Sequence, residues 1–596
     1  MRSKLKVENN LGAGRGMSVL ARWKRKGQRL LEALGPPRAA KIFVESLQVS
    51  GGEKINLKQN SILVIVGPNN AGKSSILREI RDHLQDHYRF GPVLRDATIR
   101  ITGTVDSFTK QIREAGLATE KVGTIKIGYS EYPLENVSDD IKRGFVGSRA
   151  MPLFISYLDA EGRLEITNPA DRGDYLSSAP KSVMQWLELD DAAEKAISDI
   201  FERTFDAGLI LNTLAGNKLM LHVIKRQEIP SEEMPKREEA RWLAALPRLH
   251  RQGDGMRSFA GTIMGLLVHP TSLIFLDEPE AFLHPPQARK LAEVIVKDVP
   301  GECQVIIATH NDAFVRSLLD ASGDRVILAR ISRKETINNV TVLDQDQLTK
   351  MWNDPLLRTS DILSALFHEA AILCEGDSDA RFYSLLMDAT RSLDRDPDVR
   401  FYYFGGKDRI SGIAKALRAV KIPVVAIVDI DILADTEKFL ILFEAMGGDR
   451  SSVDSDARAI NRIVRERKGQ MTGAELAIEL RRLGDEVKSE KDVPKITRNK
   501  LLQLGKDASN WQRVKQDGYR ALDALAFSRI SDAAQMVGLL INPEGELEGF
   551  CRSVSRTRKS EWLADVVELD FTEDPNLSDA RRFAKCIRET TKKRIG

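Results

Sequence analysis

The chain has 596 residues, 42% hydrophobic and 29% charged, which leaves room for roughly two to four globular domains of ~150 residues each. Its 89 basic and 86 acidic residues leave a formal net charge of +3. That near-balance excludes a uniformly basic coat, so any surface for nucleic acid must be a local patch. Cys303, Cys374, Cys551 and Cys586 lie far apart with no C-x-x-C spacing, which argues against a zinc site or a disulfide framework and suits a reducing cytoplasm. No apolar run approaches the ~20 residues of a membrane span, so no membrane partner is expected.

Residues 1–40 form a basic arm carrying Arg2, Lys4, Lys6, Arg15, Arg22, Lys24, Arg25, Lys26 and Arg29. The arm lacks the apolar centre of a secretory signal. It reads as a solvated segment, with an electrostatic contact to nucleic acid as the alternative. Residues 41–50 alternate like a strand, and Gly51-Gly52 makes the turn. Ile62 to Val66 is then an unbroken aliphatic run, the pattern of a strand buried on both faces of a parallel sheet. It leads into Gly67-Pro68-Asn69-Asn70-Ala71-Gly72-Lys73-Ser74-Ser75, which matches G-x-x-x-x-G-K-[ST]. In that pattern the backbone N–H groups turn inward to phosphate oxygens, Lys73 meets the β- and γ-phosphates, and the Ser74 hydroxyl is placed for Mg²⁺. A helix is predicted over residues 75–84, with the phosphates at its N-terminus.

From about residue 96 to 250 the character changes. Residues 98–105 and 123–129 alternate as strands, residues 182–205 and 231–246 read as helices, and no chemistry stands out. The stretch reads as an insertion between two halves of one nucleotide-binding fold. Residues 272–276 (SLIFL) are a further buried strand, followed by Asp277-Glu278-Pro279. An aspartate at the end of a core strand can hold Mg²⁺ through water, and the adjoining Glu278 can polarise the water that attacks the γ-phosphate. Residues 304–308 (QVIIA) form a third such strand ending at Thr309-His310-Asn311, which places His310 to reach a γ-phosphate.

A second α/β unit starts at Ala370. Ala371 to Cys374 is a buried strand ending in Glu375-Gly376-Asp377-Ser378-Asp379, followed by a helix over residues 380–389. Residues 399–404 meet Gly405-Gly406-Lys407, and residues 423–428 (PVVAIV) end in Asp429-Ile430-Asp431. Read as an extended strand, Asp429 and Asp431 point the same way and converge. Glu375, Asp379, Asp429 and Asp431, all hard oxygen donors at the carboxyl edge of one sheet, describe a Mg²⁺ or Mn²⁺ site. Residues 435–530 read as a polar helical insertion with a solvated face. Residues 538–540 and Gly545-Glu546-Leu547-Glu548 read as the last strand and its turn.

The order of phosphate loop, Asp277-Glu278 and His310 resembles the ABC-type ATPases, in particular the branch with SMC, Rad50-like and OLD-family proteins. The pattern E-G-x-S-D, G-G-K and D-x-D resembles the TOPRIM domain. Together they resemble the OLD (overcoming lysogenization defect) nucleases, bacterial and phage proteins of which several act in antiphage defence. The fold expected is α/β: an ABC/SMC-like ATPase domain with an inserted segment over residues 41–350, a connector over 351–369, and a Rossmann-like TOPRIM domain over 370–596. Gln252 to Ser258 then stands where the family has its signature stretch, or is a surface loop, and no Q-loop glutamine is assigned. A signature stretch reaches ATP held by another subunit, so the resemblance implies a homodimer or a higher even assembly. It also implies a further acidic ligand, for which Glu548 is the candidate with Glu546 behind it, and a late catalytic lysine, with Lys559 and Lys585 both open. The implied activity is ATP binding and hydrolysis together with two-metal cleavage of a nucleic acid, DNA foremost. One cation would sit on Glu375, Asp379 and Asp429 and the other on Asp431 and Glu548. A helicase-like or other defence partner is compatible with that reading. Basic clusters at Arg462 to Lys468, Lys495 to Lys500 and Arg552 to Lys559 are candidates for the phosphate backbone. The rival expectation is a regulatory or scaffold ATPase whose second domain binds DNA or a partner without cleaving.

Overall fold

In the computed structural model the chain forms two units, residues 1–343 and 344–596, the first built around a largely parallel sheet and the second around an all-parallel one. The structure describes residues 40–596 apart from 86–90, 115–117, 122–123, 128–129, 144–153, 176–179, 231–233, 269–270, 322–324, 344–360, 392–394, 405, 407–408, 467–472, 489–491, 508–509 and 555–558. The basic arm and most of the connector therefore lie outside the described residues.

In the first unit, β1 (Lys41–Val49) and β2 (Lys54–Asn56) pair antiparallel, β3 (Ile62–Val66) departs into a second sheet, and β4 (Leu94–Thr102) returns to β1. Strands β5 to β7 (Ala118–Lys121, Thr124–Ile127, Ser130–Pro133) make a small antiparallel sheet. After β8 (Ile155–Leu158), strands β9 (Ala170–Asp171), β10 (Gly208–Ala215) and β11 (Lys218–Ile224) form another. The remaining strands of this unit are β12 (Leu273–Asp277), β13 (Gln304–Ala308), β14 (Val326–Lys334) and β15 (Ile337–Val342). The central sheet runs β15-β14-β3-β13-β12-β8, with only the β14–β15 pair antiparallel. Every residue of β3 and of β13 is buried, as their aliphatic runs require of strands covered on both faces. Register sets Ala308 beside both Ile65 and Asp277, so the carboxyl ends of β3, β12 and β13 share one edge.

Part of the stretch expected as an insertion belongs to that sheet, because β8 pairs in parallel with β12. Its sequence ISYL is four residues long, and two of them are only half-buried, too short and too polar to stand out as a core strand. The predicted helix over 182–205 is two helices, Val183–Leu189 and Asp191–Phe205, because the Asp190 side chain accepts from the Ala192 and Ala193 amides and starts a new N-terminus.

In the second unit, β16 (Ala370–Cys374), β17 (Val399–Tyr403), β18 (Val424–Val428) and β19 (Leu539–Ile541) form an all-parallel sheet in the order β17-β16-β18-β19. Helix Asp377–Ala389 contributes Phe382 and Tyr383 and the C-terminal helix Ser578–Ile595 contributes Phe583 to the core on this sheet, which Phe550 and Trp562 complete. The segment between β18 and β19 is not uniformly solvated. Helix Thr436–Ala445 buries Phe439, Leu440, Leu442 and Phe443, and helix Asp454–Glu466 buries Ala457, Ile460 and Val464. By contrast, helix Gly473–Val487 buries Leu483 alone.

Helix Asp254–Leu267 crosses so close to the segment after β8 that a Cβ at Gly261 would stand 1.9 Å from the Arg163 carbonyl oxygen. Backbone cannot yield as a side-chain tip can, so Gly261→Ala should cost about 1–3 kcal/mol. Thermal unfolding should show a melting temperature lower by several degrees, and an unchanged value would refute this contact.

Candidate functional site

After β3 the chain turns through three left-handed residues, Gly67 (φ 151°), Asn70 (φ 61°) and Gly72 (φ 96°), which curls the loop around its own centre. Asn69 and Asn70 are exposed at its tip, and Ala71 is buried, its carbonyl accepting from Asn338 Nδ2 at 2.6 Å. Lys73 and Ser74 open helix Lys73–Gln85, which also carries Ser75. The buried Lys73 Nζ donates to the carbonyls of Gly67 and Pro68, both at 2.9 Å, so its charge is held over the loop's hollow. Ser74 Oγ donates to Asp277 Oδ1 at 2.7 Å, joining the loop to the end of β12. Burial pushes the Asp277 carboxyl above its usual range, and the Ser74 hydrogen bond offsets part of that.

Glu278 takes a left-handed backbone (φ 47°) and donates its amide to Ala308 O at 2.8 Å. That conformation costs of order 1–3 kcal/mol in a non-glycine residue and persists only where the surroundings enforce it. His310 Nδ1 lies 3.4 Å from Glu278 Oε1 and 3.5 Å from Glu280 Oε1. Glu280 is 4% exposed and accepts from Thr309 Oγ1 at 2.7 Å and from the His310 amide at 3.1 Å. Its carboxyl is raised by burial, with these hydrogen bonds opposing. Gly253 caps helix Asp254–Leu267, so the Gln252 to Ser258 stretch lies at a helix N-terminus.

Two participants here escaped sequence reasoning. Glu280 had a local signal, two residues past Glu278 in the same turn. Arg163 had none. Fully buried, it donates from Nη1 to Leu158 O (2.9 Å) and Asp277 O (2.7 Å), from Nη2 to Glu278 O (2.8 Å), and from Nε to Ser258 Oγ (3.3 Å). Ser258 in turn donates to Ala281 O at 3.1 Å. One guanidinium thus ties the end of β8, the turn after β12 and the helix that begins at Asp254.

In the second unit, β17 and β18 flank β16 on opposite sides, so the topology reverses between β16 and β18, where doubly wound sheets present their binding crevice. Glu375 follows β16, and its Oε1 accepts from the Asp429 amide at 3.0 Å. Asp379 lies in the first turn of helix Asp377–Ala389, and Asp379, Asp429 and Glu548 are all buried. Burial first, and then the charges of Asp379, Glu375 and Asp429, hold the Cys374 thiol well above its usual value. Glu548 sits in the short 3-10 helix Leu547–Phe550 beyond β19. Gly406 donates its amide to Glu375 O at 3.1 Å, whereas Gly405 and Lys407 lie outside the described residues.

Asp431 departs from expectation. The strand stops at Val428, Asp429 caps a 3-10 helix (Ile430–Ala434), and Asp431 lies inside that helix. The two-residue convergence expected of an extended strand therefore fails. Asp431 Oδ2 is instead 2.9 Å from Lys515 Nζ, which also meets Glu546 Oε1 at 2.8 Å. Burial opposes the Lys515 charge, but Asp431 and Glu546 outweigh it and raise its pKa above the ordinary lysine value. Nearby, Glu544 is 5% exposed and receives Arg520 at 2.7 and 3.2 Å and Arg552 at 3.4 Å. Lys559 begins helix Lys559–Val567, and Lys585, largely exposed on the C-terminal helix, pairs with Glu589 at 4.0 Å.

Among the described residues, no group of three or more His, Cys, Asp or Glu side chains is arranged to hold a metal ion. Glu375 instead accepts from the Asp429 amide, and Asp431 pairs with Lys515. The donor chemistry of Glu375, Asp379 and Asp429, all carboxylates, nonetheless fits a hard divalent cation. No helix among the described residues is long and apolar enough to cross a membrane.

Residues 156–316 match the family model "AAA domain, putative AbiEii toxin, Type IV TA system", and residues 366–431 match "Overcoming lysogenization defect protein-like, TOPRIM domain". The chain is 25% identical to the Old nuclease of Escherichia phage P2 over 168 residues, 28% of each protein's length. It is 25% identical to the OLD nuclease of Thermus scotoductus over 442 residues, covering 64% of this chain and 80% of that protein. The chain thus spans less than a third of the phage protein and four-fifths of the Thermus one. Solved SMC heads also align: one bound to the C-winged helix domain of ScpA (14% identity, 52% of this chain, 99% of that chain, TM-score 0.33), and the Thermotoga maritima head domain (14%, 50%, 99%, 0.28).

Because the folded state raises the Asp277 pKa, its ionised form costs stability at pH values above that pKa, and the cost fades as pH falls through it. Asp277→Asn keeps an acceptor for Ser74 and removes the charge. Its melting temperature at pH 7.5 should equal or exceed that of the parent chain, with any advantage shrinking toward pH 4. A clear loss of stability at pH 7.5 would contradict the burial argument.

Proposed function

Starting from a chain in which an ABC/SMC-like ATPase domain is fused to a Rossmann-like TOPRIM domain, homologous to the OLD nucleases, we propose an ATP-binding, metal-dependent endonuclease that acts on DNA. The observation that supports this reading is that the Asp429 amide donates to Glu375 Oε1 at the topological switch of the second sheet, with Asp379 in the first turn of the helix that follows Glu375. In the ATPase unit the loop from Gly67 to Ser75 cradles the triphosphate, with Lys73 neutralising it. Ser74 and Asp277 are the groups that would hold Mg²⁺. Glu278, held in its strained turn, orients the attacking water, and His310, aimed by Glu280 and Thr309, meets the γ-phosphate. The Gln252 to Ser258 stretch, at a helix N-terminus, serves a nucleotide held by a second copy, so the working assembly is a homodimer or a higher even oligomer. ATP gates cleavage.

In the TOPRIM unit, Glu375, Asp379 and Asp429 would hold one divalent cation, and Asp431 and Glu548 a second. Bound Mg²⁺ or Mn²⁺ there supplies an activated water and stabilises the leaving oxygen. The carboxylates are the groups that would hold such ions, and Arg520 and Arg552, oriented by buried Glu544, offer local positive charge to the backbone that the net charge does not. Lys559 and Lys585 remain the two candidates for a late catalytic lysine. Antiphage defence, with or without a helicase-like partner, is the biological setting this chemistry suits.

Purified protein incubated with supercoiled plasmid and Mn²⁺ should nick it. Glu375→Ala or Asp429→Ala should lower nicking by roughly 10²-fold or more, the scale on which lost charge stabilisation acts, while leaving ATP hydrolysis intact. Undiminished cleavage by either variant would overturn the assignment, and no cleavage by the parent chain under any nucleotide would favour a scaffold ATPase. Lys73→Ala should abolish ATP hydrolysis and alter the response of cleavage to ATP; cleavage with an unaltered ATP response would end the gating reading.

A further inference from the structure

The segment between β18 and β19 does more than bury apolar side chains, because one of its later helices brings Lys515 to the acidic edge. Lys515 belongs to helix Trp511–Asp517, and its ammonium lies between Asp431 (2.9 Å) and Glu546 (2.8 Å), carboxylates contributed by the turns after β18 and after β19. The Asp431 side chain is 16% exposed and that of Lys515 is 29% exposed, so water screens this pair only partly.

The backbone keeps the ammonium there. Gly545 adopts φ 102°, and a Cβ on it would stand 2.1 Å from the Lys515 carbonyl oxygen, so the helix end presses directly on the turn that carries Glu546. Tyr519 donates its amide to Pro543 O at 2.8 Å, and Ile430 donates its amide to Gly545 O at 3.2 Å. Three chain segments are thereby locked around one positive charge. Two carboxylates facing one ammonium keep a residual negative charge, which a doubly charged ion neutralises more fully once the ammonium has left. Removing the ammonium with nothing in its place would strand two partly buried carboxylates, which is costly.

We propose that Lys515 is a built-in counter-cation at the second cation position, so that a divalent ion reaches Asp431 only by displacing the ammonium that Asp431 shares with Glu546. This rests on reading the acidic edge as a divalent-cation site. Loading at this position is accordingly weaker than the carboxylate count alone implies. The displaced ammonium stays tethered at the same edge, where the phosphate backbone of a polynucleotide offers it another anion.

The test uses the full chain without nucleotide. Titration with Mn²⁺, following free Mn²⁺ by electron paramagnetic resonance, should show the weaker class of sites at least tenfold tighter in Lys515→Met than in the parent chain. Lys515→Arg, which keeps a cation, should retain the weak class. Equal or weaker Mn²⁺ binding by folded Lys515→Met would overturn the proposal. A second readout needs no variant. Acetylation of Lys515 by an N-hydroxysuccinimide ester, read by peptide mass spectrometry, should rise severalfold at saturating Mn²⁺, and unchanged or reduced labelling would overturn it. Neither measurement depends on cleavage, so a chain that exchanges Lys515 for Mn²⁺ yet never cuts DNA would sink the nuclease reading and leave this one standing.

Discussion

A strand covered on both faces has no place for a charge along its length, because an unpaired ion in the interior costs far more than burial returns. Strands β3, β13, β16 and β18 are buried at every residue, so each polar group that follows them must emerge at a strand end. Parallel pairing then gathers those ends along one edge of each sheet. Asp277 and His310 stand at that edge of the first sheet, and Glu375 and Asp429 at that edge of the second, from this one restriction.

At the first edge the groups are coupled before any ligand is considered. Ser74 binds Asp277, and His310 lies between Glu278 and Glu280. Arg163 underlies the whole arrangement by fixing the carbonyls of Asp277 and Glu278. A left-handed glutamate is strained, and a buried guanidinium bound to its carbonyl is the kind of enforcement that such strain requires. The same guanidinium reaches Ser258, so the turn bearing Glu278 and the start of helix Asp254–Leu267 cannot shift independently.

The second edge is arranged more loosely around its carboxylates. Glu375 and Asp429 are joined through a backbone amide, whereas Asp431 turns away into an ion pair. The polar segment between β18 and β19, which looked like a solvated insertion, supplies the partner in that pair. Its first helices contribute apolar side chains to packing and helix Trp511–Asp517 contributes an ammonium, while helix Gly473–Val487 stays largely exposed.

Much of this was legible in the linear order of residues. Apolar runs of five flanked by glycine and acidic residues specify buried parallel strands and what stands at their ends, since burial on two faces admits no other pattern. The phosphate loop and the strand-end positions of Glu375 and Asp429 follow from that local rule, and Asp431 was misplaced by reading the chain as extended past Val428, where the strand ends. Strand β8 was hidden because four residues with two polar ones carry too little periodicity. Arg163, Lys515 and the pairing of Arg520 with Glu544 were beyond reach for a different reason. Their partners lie 114, 84 and 24 residues away or thereabouts in sequence, and hydrogen bonds across such separations exist only once the strands have set their register and brought the segments together.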